Sequence, residues 1–258
     1  MKAMESAQPG RVLLAGETWV TYGVHQKGLS TYTTGGYGQG HKEFVAALEG
    51  AGWSVTHVPN HLATEEFPFT AEELSDYDVV ILSDIGADTL LLHPATFERG
   101  ERTPNRLAEI SDWVSEGGGL LMVGGYLSFS GFGGNAGYHG TPIEQCLPVT
   151  MLGYDDRVER PDGVVPQVVK PMHPAIADLP GEWPWLLGYN RFEADRGEVL
   201  ISVDSDPLLV VDAWGQGRAA AFASDCSPHW GSPAFMQWEG YATFWDRLLR
   251  WLADGRSH

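Results

Sequence analysis

Basic residues are scarce in this chain of 258 residues. Sixteen lysines and arginines face 34 aspartates and glutamates, so the formal net charge is −18. Nucleic-acid binding requires clustered lysine and arginine to neutralise phosphates, and an anionic membrane surface attracts the same residues. The composition therefore argues against nucleic acid and against a membrane as partners.

Cysteine and long apolar runs are scarce as well. Cys146 and Cys226 are too few for a disulfide framework, and this usage is typical of a reducing cytosol. Met1–Gly10 lacks the apolar centre of a secretory signal, and no apolar run is long enough to span a bilayer. We therefore expect a cytoplasmic protein whose residues 1–10 are flexible.

Glycine and tryptophan, by contrast, are abundant, with 32 and 10 copies, and 43% of the residues are hydrophobic. Length and composition predict a single domain over residues 1–258, in which residues 147–213 form a β-rich embellishment. Trp183, Trp185 and Trp238 are candidates for an interface or for pocket walls, and periodicity does not distinguish the two.

The first half of the chain alternates between apolar strands and helical segments. The predicted strands are Arg11–Ala15, Ser54–Val58, Asp78–Leu82 and Gly119–Val123. The predicted helices are His41–Leu48, a capped start at Thr70–Glu73, and Asn105–Glu116. Glu17–Tyr37 is predicted to be a long polar and aromatic loop. This alternation predicts a parallel sheet with right-handed crossovers.

The second half contains shorter segments of β character. They are Leu147–Leu152, Val164–Val169, Arg191–Ala194, Val199–Val203, Leu208–Ala213 and Arg218–Ala223. A closing helix with one apolar face is predicted over Tyr241–Leu252. No linker or repeat separates the halves, so we expect the extra strands to extend one edge of the sheet.

A sharp turn, Gly124-Gly125-Tyr126, follows the predicted strand Gly119–Val123. In cysteine- and serine-dependent α/β enzymes, a turn at this place lifts the nucleophile clear of the sheet. Here the tip offers only Gly125 or Tyr126, with Ser128 two residues further on. The turn therefore predicts a fold more firmly than it predicts an activity.

Polar residues follow four of the predicted strands. Ligands of open parallel sheets bind beyond the carboxyl ends of the strands, so we expect a small polar molecule to bind at this rim. The candidate catalytic residues are Glu17, Tyr126, His229 and Asp225. The candidate substrate-binding residues are Trp19, His25, Lys27, Asp84, Gly86, Gly125, Ser128 and Cys226.

Each of these candidates also has a structural interpretation. Glu17 is either a general acid or base, or a carboxylate that accepts hydrogen bonds from loop amides. His25 and Lys27 lie either in a binding loop, or in a loop that is solvated or packed on a neighbouring subunit. The turn with Asp84 and Gly86 either binds an oxyanion or is simply capped by the Asp84 side chain.

Cys226 and His229 lie three residues apart. They form either a thiolate–imidazolium pair or, as is commoner for cysteine, a small buried side chain beside a polar one. No Cys-x-x-Cys pair occurs, and the turn at Gly16 lacks the G-x-G-x-x-G phosphate fingerprint. We therefore predict neither a metal nor a cofactor.

Several segments together resemble a known family. They are Gly16–Trp19, Val24–Gly28, Phe67–Phe69, Ser83–Gly86, Leu90–Pro94, Gly124–Gly131, Leu147–Val149, Asp155–Glu159 and Ser224–Trp230. With them the chain resembles the class I glutamine amidotransferase-like superfamily. More closely, it is similar to a branch of bacterial cytoplasmic proteins that bears the glutamine amidotransferase name.

This resemblance implies an α/β fold with three layers and a flavodoxin-like, mostly parallel sheet, to which the second half adds strands. The resemblance also implies a comparison with the glutaminases of the superfamily, which use a cysteine at the elbow turn and a later histidine and glutamate. By position Tyr126 or Gly125 replaces that cysteine, His229 matches the histidine, and Gly231 stands where the glutamate is expected. The usual Cys-His-Glu route to glutaminase activity is therefore not expected.

Two functions follow from these residues. The first is a metal-independent hydrolase or lyase acting on a small polar molecule, with Glu17 or His229 as the general acid or base and with Tyr126 and Asp84 orienting the substrate. The alternative is a non-catalytic module that binds a small molecule or assembles as a homo-oligomer. The number of ionisable residues at one rim favours the first function.

Overall fold

The computed structural model describes residues 10–180 and 182–256 of the chain. The prediction of flexibility for residues 1–10 thus falls, apart from Gly10, outside the described residues. The strands are β1 (Arg11–Gly16), β2 (Thr18–Lys27), β3 (Ser30–Gln39), β4 (Ser54–Val58), β5 (Val79–Ser83), β6 (Gly119–Val123), β7 (Thr150–Met151), β8 (Arg157–Val164), β9 (Gln167–Val168), β10 (Leu186–Asn190), β11 (Phe192–Glu193), β12 (Glu198–Val203), β13 (Asp206–Trp214) and β14 (Gly217–Phe222). The helices are α1 (Lys42–Gly50), α2 (Asn60–Glu66), α3 (Ala71–Leu74), α4 (Ala87–Leu91), α5 (Pro94–Phe97), α6 (Arg106–Ser115), α7 (Pro142–Cys146), α8 (Pro233–Met236) and α9 (Tyr241–Ala253).

The central sheet has eight strands in the order β4-β1-β5-β6-β14-β13-β12-β9. The first five of these strands are parallel, and β13, β12 and β9 continue the sheet in antiparallel pairing. Helices α1 and α9 contact each other, while α6 contacts α3, α4 and α7. The predicted α/β class with a mostly parallel sheet and extra strands from the second half is confirmed.

The central parallel strands β5 and β6 are continuous apolar runs because both faces of the sheet are covered by helices. Strands β5 and β6 are buried along their whole length. Their register aligns the strand ends, since Gly16 lies opposite Ser83, Ser83 opposite Val123, and Val123 opposite Phe222. The chain therefore leaves four neighbouring strands at one level, and the residues that follow them share one rim.

The closing helix α9 holds the core on one side of the sheet. Leu248, Leu249 and Leu252 are fully buried along its apolar face, as predicted from their spacing. Trp245 of the same helix contacts the ring of Phe222 at the end of β14, with centroids 5.2 Å apart. This packing ties the helix to the strand that carries the candidate residues Asp225 and Cys226.

The segment predicted as a loop over Glu17–Tyr37 is instead a β-hairpin, and that prediction was wrong. Strands β2 and β3 pair in antiparallel register from Thr18 opposite Gln39 to Lys27 opposite Ser30. Most of their side chains are exposed. Val20, Tyr22 and Val24 do alternate with other residues in β2, but β3 is rich in threonine and glycine and has no apolar alternation. Threonine, valine and tyrosine still favour strand geometry without a core to face.

The second half was predicted less accurately. The segments over 147–152 and 191–194 shrink to the two-residue strands β7 and β11, and the segment over 164–169 divides between β8 and β9. Strand β10 was not predicted and pairs with β8 outside the central sheet. Within the described residues, no helix combines the length and the apolar character needed to cross a membrane.

Candidate functional site

Glu17 leaves the end of β1 in a conformation that glutamate rarely adopts. Its φ is +56°, and its N–H donates to the carbonyl oxygen of Ser83 at 3.1 Å. The preceding Gly16 has φ +117°, and a Cβ there would lie 1.7 Å from the same oxygen, so only glycine fits. Asp84 follows β5 in the same way, with φ +47°. Such non-glycine conformations cost about 1–3 kcal/mol each and occur preferentially at functional sites.

The Glu17 carboxyl lies in a buried polar cluster. The hydroxyl of Ser83 donates to Glu17 Oε1 at 2.5 Å, and the thiol of Cys226 donates to the same oxygen at 3.6 Å. Ser83 Oγ and Cys226 Sγ are themselves 3.6 Å apart. Cys226 belongs to the loop after β14, which is separated from β1 by two strands. This loop therefore runs across the strand ends and closes over Glu17.

Burial raises the pKa of Glu17 from 4.5 to about 7, and the negative charge of Asp84 acts in the same direction. Hydrogen bonds from Ser83, Ser227 and Cys226 oppose the rise. Glu17 is only 2% exposed. Near neutral pH its carboxyl is therefore distributed between the protonated and the ionised form.

Asp225 lies beside this cluster and is also buried. Its Oδ1 accepts from the N–H and from the hydroxyl of Ser227, at 2.8 and 3.0 Å. Burial, followed by the charges of Glu17 and Asp84, raises the pKa of Asp225 well above its ordinary value. Because each carboxyl disfavours ionisation of the other, the pair of Glu17 and Asp225 retains a proton more readily than two separate acids.

Within the described part of the chain, Glu17, Asp225 and Cys226 form a group that could hold a metal ion. Their potential ligand atoms lie within 4.8 Å of one another. Glu17 Oε1, however, already accepts hydrogen bonds from the Ser83 hydroxyl and the Cys226 thiol. Burial also raises the pKa of the Cys226 thiol, whereas a thiolate is the form that binds metals. The absence of a metal stays a prediction.

The imidazole of His229 lies between the buried cluster and the solvent. Its Nδ1 lies 4.0 Å from Asp225 Oδ2, and its side chain is 41% exposed. The ring stands edge-on to the ring of Tyr126, with centroids 4.4 Å apart. Partial burial lowers the pKa of His229, against the opposing charges of Glu159 and Asp84. The imidazole is therefore mainly neutral at pH 7 and open to solvent.

Tyr126 at the tip of the elbow is held by residues of β8. Its hydroxyl donates to Glu159 Oε1 at 2.9 Å, and Trp230 Nε1 donates to the other oxygen of that carboxylate at 3.1 Å. The guanidinium of Arg157 lies 4.7 Å from the centre of the Tyr126 ring. Arg157 and Glu159 were not among the predicted site residues. Their spacing of two on a strand, which places both side chains on one face, was the available signal.

The backbone N–H groups of the elbow are already bonded to side chains. Gly125 N–H donates to Asn190 Oδ1 at 2.9 Å, and Leu127 N–H donates to Asp84 Oδ1 at 2.7 Å. The N–H of Asp84 donates to Ser128 Oγ at 3.0 Å. The Asp84 carboxylate thus occupies amides that an elbow turn commonly offers to an oxyanion. Asn190 is a further residue that the sequence did not reveal, because β10 was not predicted.

The structure gathers most of the predicted site residues at this rim. Those that contact one another there are Glu17, Asp84, Gly125, Tyr126, Ser128, Asp225, Cys226 and His229. Gly86 forms the N-cap of helix α4 two residues after Asp84. Trp19 lies near the start of the hairpin, over Gly38.

His25 and Lys27 lie elsewhere, near the tip of the hairpin. The eight residues from Glu17 to His25 correspond to about 27 Å of extended strand. Both side chains are exposed. Within one chain the structure therefore does not bring His25 and Lys27 to the rim, and their role as substrate contacts has no support from this geometry.

Comparison with known proteins adds to this description. The family model described as "Putative glutamine amidotransferase" matches residues 11–254. The chain belongs to this family. Among solved structures of the same fold, the cytoplasmic protein STM1381 from Salmonella typhimurium LT2 is 43% identical, covers 94% of this chain and 99% of its own, and has a TM-score of 0.90. The cytoplasmic protein STM3548 from Salmonella typhimurium is 41% identical over 93% of this chain and 98% of its own, also with a TM-score of 0.90. No curated protein matches the chain.

This member of the glutamine amidotransferase-like family carries no thiol at its elbow turn. Neither cysteine lies at the elbow, where the sequence reads Gly124-Gly125-Tyr126. Cys226 is fully buried after β14 and Cys146 is buried in helix α7. Burial raises the pKa of both thiols. Neither thiol therefore has the lowered pKa or the exposure that a nucleophilic cysteine requires.

Proposed function

We propose that this family member is a metal-independent hydrolase or lyase that acts on a small polar molecule at the strand-end rim. The observation that carries the proposal is the position of His229. Its imidazole is exposed, faces the Tyr126 ring, and lies 4.0 Å from a carboxyl of the buried acidic cluster. An exposed imidazole backed by groups that store a proton is a common arrangement for general acid–base catalysis.

In this proposal His229 exchanges the proton with the substrate. Its lowered pKa leaves it neutral at pH 7, so it can accept a proton from water or from a substrate carbon or oxygen. The charges of Glu159 and Asp84 favour the protonated imidazole that results, and Asp225 Oδ2 lies 4.0 Å from Nδ1 of the same ring. Glu17 is too deeply buried to touch a substrate in this conformation. Its role in the proposal is to share a proton with Asp225 and so to set the charge behind His229.

Tyr126, Asp84 and Glu159 border the same surface and would orient the substrate. The Tyr126 hydroxyl lies between Glu159 and Arg157, which together offer both an acceptor and a positive charge at the rim. A small polar molecule with a carbonyl or carboxylate group fits these partners better than an apolar one. The Salmonella relatives are named cytoplasmic proteins, and we propose the same compartment for this chain.

The alternative is a module that binds a small molecule without turnover. It is less well supported because the rim carries features that cost stability, namely two buried carboxyls with raised pKa values and two non-glycine residues at positive φ. Natural proteins retain such destabilising features chiefly where activity requires them.

The test is a turnover screen with purified protein on small amides, esters, lactams and β-hydroxy acids. We expect at least one class to be turned over, and His229→Asn to reduce kcat by about 100-fold or more, the usual size of a general acid–base contribution. His139→Asn is the matched control. His139 is also exposed, but it bonds to Glu144 of helix α7 and not to the acidic cluster, so its replacement should leave kcat unchanged.

Three results would reject the proposal. They are no turnover in any class, equal activity of His229→Asn and the parent, and loss of activity on dialysis against a chelator with recovery on adding a divalent cation. The last result would replace the proposal with a metal site at Glu17, Asp225 and Cys226. Metal content of the purified protein, measured by mass spectrometry, distinguishes this case directly.

A further inference from the structure

Residues 18–39 form a hairpin, here called the arm, that projects from the body of the protein. Its contacts with the body are concentrated at its base. Thr18 bonds to Asn60 through its N–H and hydroxyl, and the ring of Tyr37 meets the edge of His61 at 5.3 Å. Beyond the base, nearly every residue of β2 and β3 is exposed.

The two faces of the arm differ. On one face the side chains cover each other, since Trp19 lies over Gly38 and His25 stacks on Tyr32 with centroids 4.8 Å apart. His25 Nε2 also hydrogen bonds to Thr34 Oγ1 at 2.9 Å. The side chains of this face therefore pack and hydrogen bond mainly with one another.

The opposite face is apolar and, apart from the contact of Tyr37 with His61 at its base, uncovered. The register places Val20 opposite Tyr37, Tyr22 opposite Gly35, and Val24 opposite Thr33. We call Val20, Tyr22, Val24 and Tyr37 the apolar face. These side chains are 67%, 73%, 66% and 47% exposed. The other residues of this face are threonine, glutamine and glycine, so the whole face carries no charge.

A two-stranded hairpin without further packing is only marginally stable in water. The arm also contains five glycines between Gly23 and Gly38, which weaken strands further. An arm of this length is nevertheless formed with regular pairing over ten residue pairs. This combination indicates that another surface covers the apolar face in solution.

We propose that this surface belongs to a second copy of the chain, and that two copies exchange arms about a two-fold axis. Ten residues of antiparallel strand are about 34 Å long, and two strands are about 10 Å wide, so one face covers roughly 340 Å². A stable interface needs about 800 Å² from each partner. One arm laid on an unrelated protein contributes less than half of this amount.

Reciprocal exchange doubles the area, because each copy contributes both its arm and the surface that receives the partner's arm. Each copy then buries roughly 700 Å², about half on its own arm and half on the surface that receives the partner's arm, which is close to the size of a standard interface. Charge favours the same arrangement. The acidic residues behind the net charge of −18 all lie outside the arm, whose only charged residue is Lys27. The uncharged apolar face can therefore approach a second acidic body without the repulsion that two acidic surfaces would have.

The test compares the mass of the full chain in solution with that of arm variants, by light scattering after gel filtration at 1–100 µM. We expect two chains per particle for the parent. Tyr22→Lys combined with Val24→Lys should give one chain per particle, because two charges would be buried in the contact. Thr21→Lys adds a charge to the opposite, exposed face and should leave the dimer intact.

Hydrogen exchange of the parent protein provides a second measurement that requires no substitution. Amides of β2 and β3 should exchange slowly at 100 µM and at least tenfold faster after dilution below the dissociation constant. A single-chain mass for the parent, an assembly of more than two chains, a dimer that survives the double variant, or arm exchange that is independent of concentration would each overturn the proposal.

Discussion

Replacing Glu17 by glutamine should make the protein less sensitive to alkaline pH. In the folded chain burial raises the pKa of Glu17 to about 7, whereas in the unfolded chain the carboxyl titrates near its ordinary value of 4.5. Between these two pH values the folded state keeps a proton that the unfolded state has released. Stability that depends on Glu17 is therefore fully present below pH 4.5 and declines as pH rises to about 7.

The size of the effect follows from this interval. Each pH unit across which only the folded state holds the proton costs about 1.4 kcal/mol, so the parent should lose roughly 3 kcal/mol between pH 4.5 and pH 8 because of Glu17. Glutamine has no proton to lose and fills nearly the same volume. Glu17→Gln should therefore be more stable than the parent at pH 8, by up to about 3 kcal/mol, and no more stable at pH 5.

The measurement is urea unfolding at pH 5 and at pH 8, followed by tryptophan fluorescence. Titration of the partly buried histidines changes stability over the same range, but this contribution is shared by parent and variant and cancels in their difference. Glu65→Gln removes an exposed carboxylate of helix α2 and should show no such difference. If parent and Glu17→Gln change equally between the two pH values, within about 0.5 kcal/mol, the raised pKa is refuted.

Two further predictions concern residues around the elbow. Asn190→Ala should lower the free energy of unfolding by roughly 3 kcal/mol, as measured by urea unfolding. The reason is that buried Asn190 bonds to both the N–H and the carbonyl oxygen of Gly125 and to Asp156. A loss below about 1 kcal/mol would contradict this role. Cys226 should react with iodoacetamide at pH 7.5 only at the rate of unfolding, as followed by intact mass, because burial raises the pKa of its thiol. Rapid labelling of the folded protein would restore a cysteine mechanism.

The parallel half of the sheet could be predicted because its central strands are uninterrupted apolar runs between glycines and polar turns. Ser54–Val58 and Gly119–Val123 were predicted with the bounds that β4 and β6 have. The run in β6 is specified locally by burial on both faces, whereas the edge strand β4 alternates exposed and partly buried residues over its first four positions. The capping pattern at Thr70 also predicted the start of α3, where Thr70 Oγ1 accepts from Glu73 N–H at 3.3 Å.

The arm and the small strands could not be predicted in the same way. The arm has no core-facing side. Its strand β2 alternates Val20, Tyr22 and Val24 with other residues, but its partner β3 is rich in threonine and glycine and shows no apolar period. Strands of two residues, such as β7 and β11, are defined by their pairing partners and carry no period of their own. For β7 and β11 the information lies in contacts between distant segments, which a single sequence does not display.

The site was predictable only as far as the strand ends. The aligned register of β1, β5, β6 and β14 brings their following residues to one rim, and this general property of parallel sheets located Glu17, Asp84, Tyr126 and Asp225 together. The contact between Cys226 and Glu17 was not predictable, because it depends on a loop that crosses two intervening strands.

The elbow itself indicates where chemistry can occur on this scaffold. A catalytic elbow needs a nucleophile at its tip and free N–H groups nearby to receive the developing negative charge. In this chain the tip is Gly125-Tyr126, and the N–H of Leu127 already binds the Asp84 carboxylate. An oxyanion at that position would have to displace the carboxylate of Asp84, which the turn after β5 holds in place. Acyl transfer through the elbow is therefore disfavoured twice, whereas the proton transfer that we propose for the exposed His229 needs neither a nucleophile at the tip nor free N–H groups.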